Sequence, residues 1–147
     1  MLNLVKYRNY WERLTERLQG IDSVLPVTID REMGRRIQSL PLHSVTLFLF
    51  PVLAESSAKN ADSYGESNHC VVFVMKKYDP QRQTSFSVLE ETQPVTEALK
   101  AMLLEDQRTP CFGVKIDVAS METAPETELY GTFAGWSVAF NAKTSGL

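Results

Sequence analysis

The chain has 147 residues, 44% of them hydrophobic and 22% charged, the composition of one ordinary globular domain and not of a disordered or fibrous chain. A domain of this size buries about two-thirds of the surface its unfolded chain exposes, so its core requires neither a disulfide nor a structural metal. Fifteen Lys and Arg against 18 Asp and Glu give a formal net charge of −3, which lacks the basic excess of a dedicated nucleic-acid reader.

That charge is unevenly spread. Residues 1–53 carry seven basic and five acidic side chains (+2), and residues 54–147 carry eight and 13 (−5). Such asymmetry can steer copies of one subunit head to tail, although two solvated faces would look the same. The first residues, Met1 to Arg8, contain no uninterrupted apolar segment of signal-peptide length, so secretion by that route is not expected. The longest apolar run, Val45 to Ala54, contains Pro51 and is about half the length of a membrane-spanning helix, which predicts a core strand. Cys70 and Cys111 form no CxxC pair and read as two buried thiols in a reducing compartment.

In chain order, Leu4, Tyr7, Trp11, Leu14 and Leu18 recur at spacings of three and four and predict an amphipathic helix laid across a sheet. Asn3 is placed to cap it and Gly20 to stop it. Leu25, Val27 and Ile29 then alternate as a strand that begins at Pro26 or lies at an edge, because proline donates nothing to a ladder. The arginine-rich segment from Asp30 to Ser39 reads as a turn or a one-turn helix. Leu42 to Leu53 and Cys70 to Met75 are nearly continuous apolar runs and predict the two central strands. Between them, Glu55 to Asn68 reads as a 14-residue polar loop, long for a compact domain.

Thr84 or Ser85 can cap a second helix with Val88, Thr92, Val95, Leu99 and Met102 inward. Pro94 either kinks that helix or lies in the first turn of a later one starting near Thr92, and Gln107 to Pro110 ends it. Val114, Ile116 and Val118 alternate in one half-exposed strand and Trp136, Val138 and Phe140 in another. The acidic stretch Glu122 to Glu128 reads as a hairpin loop or an edge-protecting device. Phe133 has the opposite phase to Trp136, and a bulge assisted by Gly131 or Gly135 would restore the register. The predicted fold is α+β: a mainly antiparallel sheet of about five strands with two helices packed on one face, in a single domain spanning residues 1–147.

Chemistry-bearing motifs are sparse. The P-loop, GxGxxG, GxSxG and HExxH patterns are absent. His69 and Cys70 are adjacent but belong to a strand, where neighbours point to opposite faces, so the imidazole is not expected to activate the thiol. His43, His69, Cys70 and Cys111 show no metal-ligand spacing. No catalytic residue, cofactor or metal is therefore assigned. Arg31, Arg35 and Arg36 can grip a phosphate or a partner's carboxylates, or simply form a solvated turn. Trp11 and Trp136 are candidate interface anchors, with core packing the commoner role for such positions.

Taken together, the first helix (Tyr7 to Leu18), the apolar strand pair, the Thr92 to Leu99 helix and the final Gly135-Trp136-Ser137-Val138-Ala139-Phe140 strand resemble the small tail-completion, tail-terminator or neck (head-tail connector) proteins of tailed phages and prophages. The resemblance is architectural, its only local motif being the GW-x-V-x-F strand after an acidic loop. It implies a non-enzymatic subunit that forms a homo-oligomeric ring, commonly sixfold, at a head-tail junction or tail end. It also implies other tail or connector proteins as partners and residence in a virion or phage-like particle made in the bacterial cytoplasm. Neither sequence-specific nucleic-acid binding nor membrane association is expected. Candidate interface residues are Arg31, Arg35 and Arg36 in the basic segment, Tyr64 in the long loop, and Glu122, Glu126 and Glu128 in the acidic stretch. A small regulatory or ligand-binding α+β module is the alternative, and a small enzyme the third class.

Overall fold

The computed structural model describes residues 1–28, 31–57, 60–107 and 115–145, with the side chains of 31–33, 128, 129 and 145 outside that description. Its elements are α1 (Leu4–Arg17), β1 (Ser23–Pro26), α2 (Arg31–Gln38), β2 (Val45–Leu49), β3 (Leu53–Ser56), β4 (Gly65–Lys77), α3 (Ser85–Asp106), β5 (Lys115–Leu129) and β6 (Phe133–Ser145). The six strands form one sheet in the order β1-β2-β4-β6-β5, with β3 also paired to β4. Every pair is antiparallel except β1 with β2. The class is α+β, as the sequence pattern predicts.

Helix α1 forms where the three-and-four spacing places it. The Asn3 side chain accepts from the Lys6 N–H and satisfies a first-turn donor. Tyr7, Trp11 and Leu14 are buried against the sheet, joined by Tyr10, whereas Leu4, expected on the buried stripe, is exposed. Gly20 adopts φ 105°, a conformation that costs any residue with a Cβ. β1 does lie at a sheet edge, but Pro26 ends it instead of beginning it.

The segment expected as a turn or single helical turn is an eight-residue helix, α2. Its C-terminal carbonyls are held by the Lys77 ammonium, which donates to Gln38 O at 2.8 Å and Leu40 O at 2.9 Å, an arrangement that also complements the helix dipole. Because α2 carries the chain from β1 back to β2, it is a helical crossover, and those two strands are parallel.

Alternate strand residues feed two cores. Leu47, Leu49, Val72, Val74, Val138 and Phe140 point to the face covered by α1 and α3. Phe48, Met75 and Phe133 point to the opposite face, where they pack with Leu25, Val27 and Ile37 of α2. This second core explains the phase of Phe133. The β4–β6 register runs without interruption from Gly65↔Ser145 to Lys77↔Phe133, so the irregularity opposite Gly135 lies in β5 and not in β6, and Phe133 keeps its phase because it has its own apolar partners. The irregularities lie in β5, between Asp117 and Glu122 and between Glu126 and Leu129.

Other boundaries also move. Leu42 to Leu53 is not one strand: Phe50, Pro51 and Val52 separate β2 from β3. Both ends of the expected 14-residue loop are strand, because Glu55 and Ser56 of β3 pair with Ser67 and Glu66 of β4. Glu122 to Glu128 is not a hairpin loop but part of β5, which is the sheet edge opposite β1. The turn lies at Tyr130 and Gly131, with φ of 52° and 75°. β6, expected to be half exposed, is an inner strand. Helix α3 starts at Ser85, capped by Thr84, so Pro94 lies well inside it. Pro94 and Glu90 are on the exposed side, where water can replace the missing donor, and the Thr92 and Thr96 hydroxyls donate back to Val88 O and Thr92 O. Val114 and Cys111 lie outside the described residues.

Candidate functional site

Strand order converts the charge asymmetry of the sequence into a spatial one. The basic helix α2 sits at the β1–β2 side of the sheet, and β5 occupies the far edge. Ile37 anchors α2 to the second core and is fully buried, which turns Arg35 and Arg36 outward as exposed side chains. No ion pair involves either of them among the described residues. The Arg31 side chain lies outside the described residues.

At the other edge, Glu122 and Glu126 oppose Ala139 and Gly135 of β6. Those β6 positions share the sheet face of Phe133, so both glutamates lie on the face that carries α2, on the edge strand farthest from β1. The candidate residues are thus not gathered into one site: the arginines and glutamates mark two unlike edges. The Glu128 side chain is outside the described residues. Tyr64 belongs to neither edge. It follows a short 3-10 turn (Ala61–Ser63) and donates its hydroxyl to the Glu66 carboxylate. Glu66 also takes the Met1 amino group, and these two contacts, the amino group foremost, hold its carboxyl below its ordinary value.

A groove that the sequence pattern does not reveal opens where β1 and β2 both end. Its floor includes the buried Tyr7, Val27 and Leu49, its wall the exposed Leu4 and Val5, and its rim Arg8 and Arg36. Its volume is about 410 Å³, within the range of small-ligand sites. Glu12 engages Arg8 at 2.9 Å, whereas Arg36 has no ion pair among the described residues. The groove combines residues from α1, both parallel strands and α2, distances of up to 45 positions that no local periodicity links.

The adjacent His69 and Cys70 point to opposite faces, as strand geometry requires. Cys70 is buried beneath α1, and desolvation pushes its thiol up to about 12. His69 lies on the outer face between Glu55, 3.0 Å from Nε2, and Asn141, 2.5 Å from Nδ1. Glu55 first and Asn141 second raise the imidazole above its ordinary value. Trp11 is fully buried in the main core, and Trp136 is half-buried with its indole N–H donated to Leu89 O at 3.0 Å. Among the described residues no cluster of three His, Cys, Asp or Glu side chains is arranged to hold a metal ion, and no helix is long and apolar enough to cross a membrane. No protein-family model matches the chain, and no curated protein matches it.

Proposed function

We propose that this chain is a non-enzymatic structural subunit that assembles with copies of itself into a ring, at the head-tail junction or tail end of a phage or phage-like particle. The observation that carries the proposal is the pairing of two unlike edges on one sheet: exposed Arg35 and Arg36 beside β1 and β2, and Glu122 and Glu126 on β5. An edge of one sign meets an edge of the other head to tail, and such heterologous contacts generate rings when the rotation closes. Long-range attraction between the edges selects the correct approach and disfavours like-to-like pairing. The particle assignment rests on the architectural resemblance.

The test is the native mass of the purified protein by light scattering and sedimentation across protein and salt concentration. The proposal expects a closed multimer, a hexamer in the simplest case, that weakens as salt screens the edges. A strict monomer, including in mixtures with tail-tube or connector proteins, overturns it. The apolar groove favours a second reading, a ligand-binding module, which predicts that monomer together with saturable uptake of a small amphiphile.

A further inference from the structure

The groove at the ends of β1 and β2 and the larger irregularity of β5 have complementary chemistry. Between the pairs Asp117↔Asn141 and Glu122↔Ala139, β5 advances five positions while β6 advances two, so residues 118–121 bulge from the edge. The bulge is pinned, not loose. Ser120 Oγ donates to Asp117 O at 2.5 Å and accepts from the Asn141 N–H at 2.8 Å, standing in for the missing ladder partner. Met121 packs against the main core, while Val118 is 58% exposed. Bulges re-aim side chains and end strand pairing, and this one presents an apolar side chain between two exposed carboxylates, Asp117 and Glu122.

We propose that the Val118 bulge of one subunit seats in the β1–β2 groove of the next, with Asp117 and Glu122 facing Arg36 and Arg8. The occupant is a second copy of this chain, and the inference rests on the ring proposal. Charge complementarity supports it: the groove has an apolar floor and a guanidinium rim in which Arg36 has no ion pair among the described residues, and the bulge has an apolar tip and a carboxylate rim. Placement supports it as well, because groove and bulge occupy opposite edges of one sheet. A contact between them is heterologous and leaves each subunit with one free half for the next neighbour. Burial of the tip excludes water from the flanking charge pairs, which strengthens them relative to an open surface.

The contact is tested with two surface variants, Val118→Asp and Arg36→Glu, each checked for an unchanged circular dichroism spectrum and melting temperature. Val118→Ser and Arg36→Gln serve as milder substitutes if either fails to fold. In sedimentation velocity the wild type forms the multimer, and each variant alone is expected to lose at least tenfold in association. A one-to-one mixture is expected to stop at dimers, since the Arg36→Glu subunit still offers a bulge and the Val118→Asp subunit still offers a groove. Variants that assemble as the wild type does, or a mixture that stays monomeric when each variant does, overturn this contact while leaving the ring proposal standing. Decanoate that shifts the Val27 and Leu49 methyl signals of the intact multimer without dissociating it shows an open groove, and also overturns the contact. A monomeric wild type overturns both proposals.

Discussion

Replacing Gly135 with alanine probes the closest approach in the sheet. A Cβ built there would stand 1.9 Å from Val74 O, 2.9 Å from Val74 C and 3.0 Å from Met75 Cα, and all three atoms are backbone of the central strand β4. No side-chain rotation relieves such a contact, so β6 must retreat by about 1 Å to bring the oxygen back to a tolerable separation. Ladder hydrogen bonds occupy a window of about 2.7–3.2 Å, and that retreat stretches those around the Val74↔Trp136, Met75↔Gly135 and Lys76↔Ala134 pairs out of it. Two or three lost bonds at about 0.5–1.5 kcal/mol each, or the overpacking strain of about 1–3 kcal/mol if the strands hold, both centre on a loss of about 2 kcal/mol. In a chain of this size that corresponds to a fall in melting temperature of about 4–8 °C. Urea unfolding followed by far-ultraviolet circular dichroism measures it as a lower midpoint at unchanged slope. The control is Gly34→Ala: nothing lies within 4 Å of a Cβ there, and alanine in helix α2 is expected to stabilise by about 0.5–1 kcal/mol. A Gly135→Ala midpoint within error of the wild type refutes the close-approach argument.

Four further outcomes are expected. Trp11→Ala, which empties a fully buried site, costs about 3–5 kcal/mol. Trp136→Phe keeps a six-membered aromatic ring but forfeits the indole N–H bond to Leu89 O, costing at least about 1 kcal/mol; a denaturant midpoint equal to the wild type contradicts that bond. His69 is raised by Glu55 and Asn141, so its contribution is complete below the ordinary imidazole value and is lost as pH rises through the higher folded value. His69→Gln is therefore expected to flatten the stability profile in that window, and an unchanged slope in pH-dependent unfolding rules the contact out. Asp106 is lowered chiefly by Arg17, at 2.6 Å, and also by Tyr10. Its contribution is present above the ordinary carboxylate value and is lost as pH falls through the lower folded one, so Asp106→Asn is expected to remove that acid-limb loss, as read by thermal unfolding between pH 5 and pH 2.

Local pattern determined much of this protein. The spacing of Tyr7, Trp11 and Leu14 specifies α1, the Asn3 and Thr84 side chains set helix starts, and the apolar runs before and after the polar loop locate β2 and β4. These features are legible because each depends on neighbours within about four positions, where a period of 3.6 or 2 is the whole signal. The α+β class follows from their order. The opposition of His69 and Cys70 follows from strand geometry alone.

Tertiary structure decided the rest. Phe133 looks out of phase only if the sheet has a single buried face; the second core beneath α2 gives it partners that lie far away in sequence. Glu122 to Glu128 has the polarity and proline of a loop, and becomes strand because β6 supplies a ladder and Pro125 lies on an edge strand, where a missing donor is tolerated. The parallel pairing of β1 with β2 and the groove at their ends are likewise invisible locally. The arginines and glutamates were readable as charged segments, but their assignment to opposite edges of one sheet came only with the strand order, because residue type determines charge while long-range pairing determines where that charge is placed.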